Sequence, residues 1–370
     1  MNRLFALAAL SKSFSTFGMV VRPSPYRWLF LLPVIAINGY CYFSTFSEDS
    51  IRVNILIETL MASDYILLTD IQREFRQIGQ QEPIYNLGIW ARFKWTVQLL
   101  FSPRGVGWTH EMKSIIPSHP NLTRLEFLRS RFISLIMALI GNDIAFILTS
   151  IDPGFSEHAP PFDEQPVVWR FWATGLFFFR LKSAINVYLL LVALLLVGTG
   201  LSEPDVWPDF FGKLSDAYTV RRWWGRVWHQ QLRRIFSSHG KFLSQRVCGF
   251  RTGTLASSYT RLYLAFFLSG LIHITSLDPR PIRFFLSQAV VITFEDSVIA
   301  AANRVGFKRS QAIIRVLGYF WVYFVLSFTF GPWLDSMNAT GVGGYDGTLV
   351  LGRYRDSWWL KGLLTQLDRR

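Results

Sequence analysis

Seven stretches of this chain are apolar over nearly the length a helix needs to cross a bilayer, and no other feature restricts the fold as much: residues 27–43, 51–68, 131–151, 182–201, 261–277, 282–301 and 312–330. A span takes about 20 mostly apolar residues, and inside lipid every backbone N–H and C=O must find its partner within the segment. Residues 171–179 are apolar but short, and Arg180 and Lys182 follow them. They read either as the first part of one long tilted helix or as a re-entrant piece. The expectation is an all-α polytopic membrane protein with about seven to nine transmembrane helices. Composition agrees: 17% of residues are charged, where a soluble domain carries about 25%. The 14 tryptophans suit helix ends anchored at two lipid–water interfaces.

The connecting segments alternate in charge. Residues 70–130, 213–251 and 304–315 are basic, whereas 152–168 contain four acidic residues and no Lys or Arg, and 331–347 are acidic or neutral. The positive-inside bias then places every basic segment on the cytosolic side of one topology, provided 171–201 cross once. Residues 1–26 read as an uncleaved lead-in, residues 27–331 as the membrane-embedded domain, and 332–370 as a luminal loop and tail. Of two glycosylation sequons, at Asn121 and Asn338, only Asn338 faces the lumen on this topology.

The net charge of +13 has three possible partners: nucleic acid, an anionic membrane surface, or a phosphate-bearing substrate. Nucleic acid is the poorest fit for a chain embedded in lipid. Cys41 and Cys248, the two cysteines, make neither a disulfide framework nor a metal-ligand pattern.

Residues 220–235, VRRWWGRVWHQQLRRI, carry the densest chemistry. On a helix at about 100° per residue, Arg222, Gly225, Arg226, His229 and Arg233 share one arc, with Val220, Trp224, Val227, Trp228 and Ile235 opposite. This predicts a basic amphipathic helix on the cytosolic side. The bland reading is a surface helix greeting anionic lipid. The functional reading is that its arginines hold the phosphates of a nucleotide-like donor, while neighbouring positive charge keeps His229 neutral.

His273 is the second candidate, set in an apolar helix after Ser269-Gly270. Polar groups inside the hydrocarbon layer are expensive and point to function, and small residues beside it permit a close helix approach. The competing reading is a histidine hydrogen-bonded between helices. Arg261 and Glu295 are expected at similar depth as a buried ion pair, and Asn142 and Asp143 as interhelical polar contacts. Residues 104–108, Arg-Gly-Val-Gly-Trp, read as a structural turn at the membrane surface.

These segments in this order resemble the wax-synthase-like branch of the membrane-bound O-acyltransferases. The matching pieces are Arg104 to Trp108, Phe211-Gly212 running through Tyr218-Thr219-Val220-Arg221-Arg222 into Trp223-Trp224-Gly225-Arg226-Val227-Trp228-His229, and Ser269-Gly270-Leu271-Ile272-His273. Trp223 stands where the family typically has Phe, and His229 where many plant relatives carry Asn. Fungal relatives commonly have His there, including acetyltransferases that tailor terpenoids and other secondary metabolites.

The resemblance implies an enzyme that uses an acyl-CoA, in the fungal case acetyl-CoA, as co-substrate and a hydroxylated apolar small molecule as acceptor, with no metal. It implies His273 as general base and His229 as the group orienting the donor or stabilising the oxyanion. Arg221, Arg222, Arg226 and Arg233, with Trp224 and Trp228, would bind the donor. Two alternatives stand beside it: a long-chain wax or sterol ester synthase, and a multi-span transporter using His273, Glu295 and Asp143. A transporter usually shows two related halves, and none is visible in this chain.

One geometric demand follows. His273 lies 12 residues beyond Arg261, roughly 18 Å along a helix, so an interfacial His229 could not share its substrate. The enzyme reading requires residues 223–232 to dip into the protein as irregular or tilted backbone.

Overall fold

The computed structural model describes residues 2–44, 49–111, 122–274, 278–306 and 310–339. Asn121 and residues 340–370, which carry most of the expected luminal loop and tail, lie outside them. Helices α1 (Asn2–Val20), α2 (Leu31–Ser44), α3 (Asp49–Ser63), the single turn α4 (Ile71–Glu74) and α5 (Ile89–Leu100) come first. The long helices α6 (Arg124–Ile151) and α7 (Val167–Gly198) follow. Next come the short α8 (Val220–Arg222) and α9 (Arg233–Lys241), then α10 (Leu255–Ile272), α11 (Arg280–Arg304), α12 (Gln311–Thr329) and α13 (Gly331–Ala339). The chain divides into two compact units, residues 1–117 with 224–307 and residues 118–223 with 308–370.

Five helices, α6, α7, α10, α11 and α12, are long and apolar enough to cross a membrane among the described residues. Segments 27–43 and 51–68 form shorter pieces. The first opens as a 3-10 turn, Arg27–Phe30, before α2, and the second ends in a π turn, Asp64–Leu68, after α3. Arg27 explains the first break. Its buried guanidinium donates to the carbonyls of Gly18 (3.0 Å) and Tyr65 (3.2 Å), which ties α1 to that π turn. Residues 171–179 belong to the 32-residue α7, so the long-helix alternative holds; at ~1.5 Å per residue it exceeds the ~30 Å hydrocarbon layer.

In the second unit α6 and α7 pack through Phe127, Leu135, Val187, Leu190 and Val197. A capping box starts α6: Thr123 Oγ1 accepts from the Glu126 N–H, and Glu126 Oε2 accepts from the Thr123 N–H at 2.9 Å. The polarity of α6 is inverted relative to a soluble helix. Asp143 and Asn142 are on the buried side, while Ile133, Met137, Ile140 and Ile144 face outward, Met137 being 66% exposed. Only a lipid surround makes that arrangement favourable. Tyr323 on α12 donates to the Phe171 carbonyl of α7 at 2.6 Å. On α13 the Asn338 side chain is buried and its amide donates to the Gly154 carbonyl at 3.1 Å. The side-chain nitrogen of that sequon is thus committed to a hydrogen bond inside the second unit.

In the first unit α1, α2 and α5 share a core of Met19, Val34, Tyr65, Trp95, Leu99 and Trp108. Thr254 caps α10 by accepting from the Ser257 N–H at 3.2 Å, and Asp278 Oδ1 accepts from the Arg280 N–H at 2.9 Å to start α11. Gly270 governs their crossing: a Cβ there would lie 2.7 Å from Ile282 Cα. The small residue next to His273 therefore serves close helix approach, as its position suggested.

Candidate active site

His273 is the residue that ends α10. Its Nδ1 lies 2.7 Å from the Ser269 carbonyl oxygen. A carbonyl only accepts, so Nδ1 carries the hydrogen and Nε2 is left with the basic lone pair. The ring packs on Phe285 of α11 at 4.8 Å between centroids.

The single amphipathic helix expected over residues 220–235 is broken. Chain 223–227 forms a π turn, 228–232 is irregular, and α9 starts only at Arg233. Side chains capture the carbonyls a continuing helix would have used. Gln230 Nε2 donates to the carbonyls of Trp224 (2.9 Å) and Trp228 (2.6 Å), and Arg233 Nη1 donates to that of Gly225 (2.7 Å). Val227 and Trp228 are buried. The helical wheel fails because these internal bonds outcompete the regular ladder, and the irregular, inward course is the one the enzyme reading required.

Trp224 anchors the π turn. Its Nε1 donates to Gln288 Oε1 at 3.2 Å, and its ring meets Phe266, Phe284 and Phe285 at 5.9–6.1 Å. Trp228 lies 6.1 Å from Trp224 and 5.5 Å from the His229 ring. A continuous aromatic path, His229–Trp228–Trp224–Phe285–His273, joins the two imidazoles. They lie within electrostatic reach of one another. Burial chiefly, then the charges of His273 and Arg104, push the His229 pKa down to about 4. At neutral pH His229 is a neutral imidazole with one N–H to donate. The helical wheel traced that neutrality to flanking arginines; desolvation is the larger cause.

The arginines separate. Arg233, whose pKa is lowered by burial and then by Arg226 and Arg261, gathers with those two cations in the first unit. Arg221 and Arg222 belong to the second unit. Arg222 is engaged with the Asp216 carboxylate, donates to the Asp216 carbonyl at 3.1 Å and lies 4.3 Å from the Tyr218 ring centre. Trp224 and Trp228 spend their rings on packing within the protein. Two charged residues escaped the sequence reading as site candidates: Arg261, assigned there to Glu295 and found within electrostatic reach of Arg233, and Arg104, assigned to a surface turn and found within electrostatic reach of His229. Arg104 is buried; the glycines on either side of Val106 were the available signal.

The fold and site present a helical membrane chain with two imidazoles along one aromatic path, and comparison with known proteins gives its class. Residues 207–278, which contain both histidines, match the membrane bound O-acyl transferase family. The chain is 33% identical to acetyltransferase ple2 of Rhodocybe pseudopiperita over 95% of its length and 96% of that protein. It is 30% identical to acetyltransferase eriL of Hericium erinaceus, over 93% and 94%, and 26% identical to acetyltransferase atnC of an Arthrinium species, over 89% and 85%. No solved structure matches. The chain belongs to the membrane-bound O-acyltransferase family and is an integral membrane acyltransferase, which takes an acyl donor and a hydroxyl acceptor; the transporter alternative falls with that membership.

Proposed function

We propose that this protein transfers the acetyl group of acetyl-CoA to a hydroxyl on an apolar secondary metabolite such as a terpenoid, in the endoplasmic reticulum membrane, within a catalytic domain formed by residues 27–331. His273 Nε2 takes the proton of the alcohol as its oxygen attacks the thioester carbonyl. The N–H of His229 donates to the oxyanion of the tetrahedral intermediate. Collapse breaks the C–S bond, and the thiolate leaves as the thiol with the proton held by His273. Arg226, Arg233 and Arg261 supply fixed positive charge for the phosphates of the donor, and Trp224 and Trp228 hold the chain between the two imidazoles in place by their packing. The observation that carries this reading is the bond from His273 Nδ1 to Ser269, which leaves Nε2 as a base in an apolar setting. Acetyl rather than a long chain is favoured by the names of the similar proteins.

The test uses microsomes containing the protein, labelled acetyl-CoA or labelled palmitoyl-CoA, and a panel of hydroxylated terpenoids and long-chain alcohols. Label should move from acetyl-CoA to a terpenoid hydroxyl and be lost in His273→Ala at equal protein level. Transfer from palmitoyl-CoA alone would replace acetylation with ester synthesis, and undiminished transfer in the variant would remove His273 as the base.

A further inference from the structure

A cavity of about 370 Å³ lies in the first unit, where the link from α1 to α2 meets the π turn and α4. Its size falls in the range of about 300–1,000 Å³ that takes small molecules. The wall includes Ser24, Arg27 and Trp28 on one side and Leu67, Asp70 and Arg73 on the other. Two guanidiniums stand there against one carboxylate, so the wall carries a positive charge in excess.

That excess falls on Arg73. Arg27 is buried and spends Nε on the Gly18 carbonyl and Nη2 on that of Tyr65. Its Nη1 lies 3.5 Å from Asp70 Oδ1, and Arg73 Nη1 lies 3.4 Å from Asp70 Oδ2, so each carboxylate oxygen faces a guanidinium. Arg73 is 65% exposed and keeps the remaining donors of its fork for a ligand. Thr69, also on the wall, is used up: it donates to Asp64 at 2.7 Å and accepts from Arg234 at 3.0 Å. The Ser24 hydroxyl accepts from the Tyr26 N–H at 3.2 Å, which leaves its own hydrogen to give. Glu74, which accepts from the Asp70 N–H at 2.9 Å, is outside the wall. The cavity is rich in donors and poor in acceptors, which suits an anion and not an amine.

The surroundings indicate what carries the anion. Trp28 and Leu67 are exposed at the cavity. From Trp28 onward, Leu32, Ile35 and Phe43 are exposed on one face of α2. Such a stripe is a liability in water and a bed for an acyl chain in a bilayer. A free phosphate or a nucleotide has no use for it, whereas an amphiphile with a phosphate head uses both parts. The charge bias of the chain puts residues 70–130 on the cytosolic side, where the bilayer holds its anionic lipids.

We propose that this cavity binds an anionic glycerophospholipid. Arg73 and the Ser24 hydroxyl hold the headgroup phosphate, Asp70, anchored by Arg27, orients Arg73, and an acyl chain lies along Leu32, Ile35 and Phe43.

The test is native mass spectrometry on the purified full-length protein in detergent, titrated with phosphatidylserine or phosphatidylcholine, with coenzyme A as competitor. Wild type should hold one phosphatidylserine about tenfold more tightly than phosphatidylcholine, and Arg73→Gln should lose about tenfold in that affinity. Arg73→Gln removes a single surface ion pair, which is worth little to the fold. Arg73→Glu, with a carboxylate facing the phosphate, should lose the lipid altogether. Arg76 is an exposed arginine of the same basic segment outside the wall, so Arg76→Gln should stay within about twofold of wild type. Wild-type affinity in Arg73→Gln would overturn the proposal, as would equal losses in Arg73→Gln and Arg76→Gln, which would mean diffuse attraction to a basic surface. Equal binding of the two lipids would reduce the site to apolar contact, and displacement of the lipid by coenzyme A would give the cavity to the donor's phosphates; either result sinks it.

Discussion

Nδ1 of His273 donates to the carbonyl oxygen of Ser269, one turn earlier on the same helix, across 2.7 Å. The acceptor is backbone, so substitution of Ser269 leaves the tautomer intact, and only the ring itself can be tested. His273→Ala and His273→Gln are expected to lower kcat by about 10²–10⁴. Ser269→Ala should stay within about tenfold of wild type, because the oriented tautomer survives. Steady-state rates on equal amounts of protein check both, and a Ser269→Ala loss as deep as that of His273→Ala would deny the backbone its part.

Arg222 and Arg226 should behave differently. Arg222 is held by Asp216 and Tyr218, so Arg222→Ala is expected to cost about 1–3 kcal/mol of stability and to lower the melting temperature in detergent. Arg226 is solvent-exposed and stands beside Arg233. Arg226→Ala should raise KM for the CoA donor several-fold with the melting temperature unchanged. Equal effects of the two substitutions on KM would contradict the distinction.

Gly270 permits the crossing of α10 and α11, with backbone rather than a flexible side chain in the way of any Cβ. Gly270→Val should therefore cost about 1–3 kcal/mol and reduce transfer by displacing His273 from Phe285. Thermal unfolding in detergent measures the first effect and kcat the second. A variant of wild-type stability would show that the helices part freely.

His229 makes the protein acid-sensitive. Its folded pKa, about 4, is below its ordinary value of 6.5. Between those values the unfolded chain binds the proton and the folded protein does not, so stability falls as pH is lowered from 6.5 and levels off below about 4. The full effect of this one group is about 3 kcal/mol. His110, likewise pushed down to about 4 chiefly by burial, contributes in the same window, so His229→Gln should remove about half of the fall and His229→Gln with His110→Gln most of it, measured by denaturation in detergent; a curve unchanged in His229→Gln would remove His229 as a source.

Apolar length identified α6, α7, α10, α11 and α12 because lipid leaves the chain no alternative to satisfying its own backbone, and it overestimated 27–43 and 51–68, which form the shorter α2 and α3. Periodicity misjudged residues 220–235, where Gln230 and Arg233 bond carbonyls of residues 224–228 and end the helix. A wheel holds side chains on a fixed cylinder and has no means of scoring such bonds. Arg104 was read as part of a surface turn because the contacts that pack that region, His110 on Phe75 and Trp108 on Trp95, join residues apart along the chain.

From residues alone follow the membrane class, the helical architecture and the two histidines, since each rests on local properties: apolar length, backbone satisfaction, and the cost of a polar group among apolar neighbours. The tertiary structure decided the tautomer of His273, the neutrality of His229 by burial, the partners of Arg222 and Arg233, and the inward place of Arg104. These depend on desolvation and on distances between remote segments, which exist only once the chain has packed.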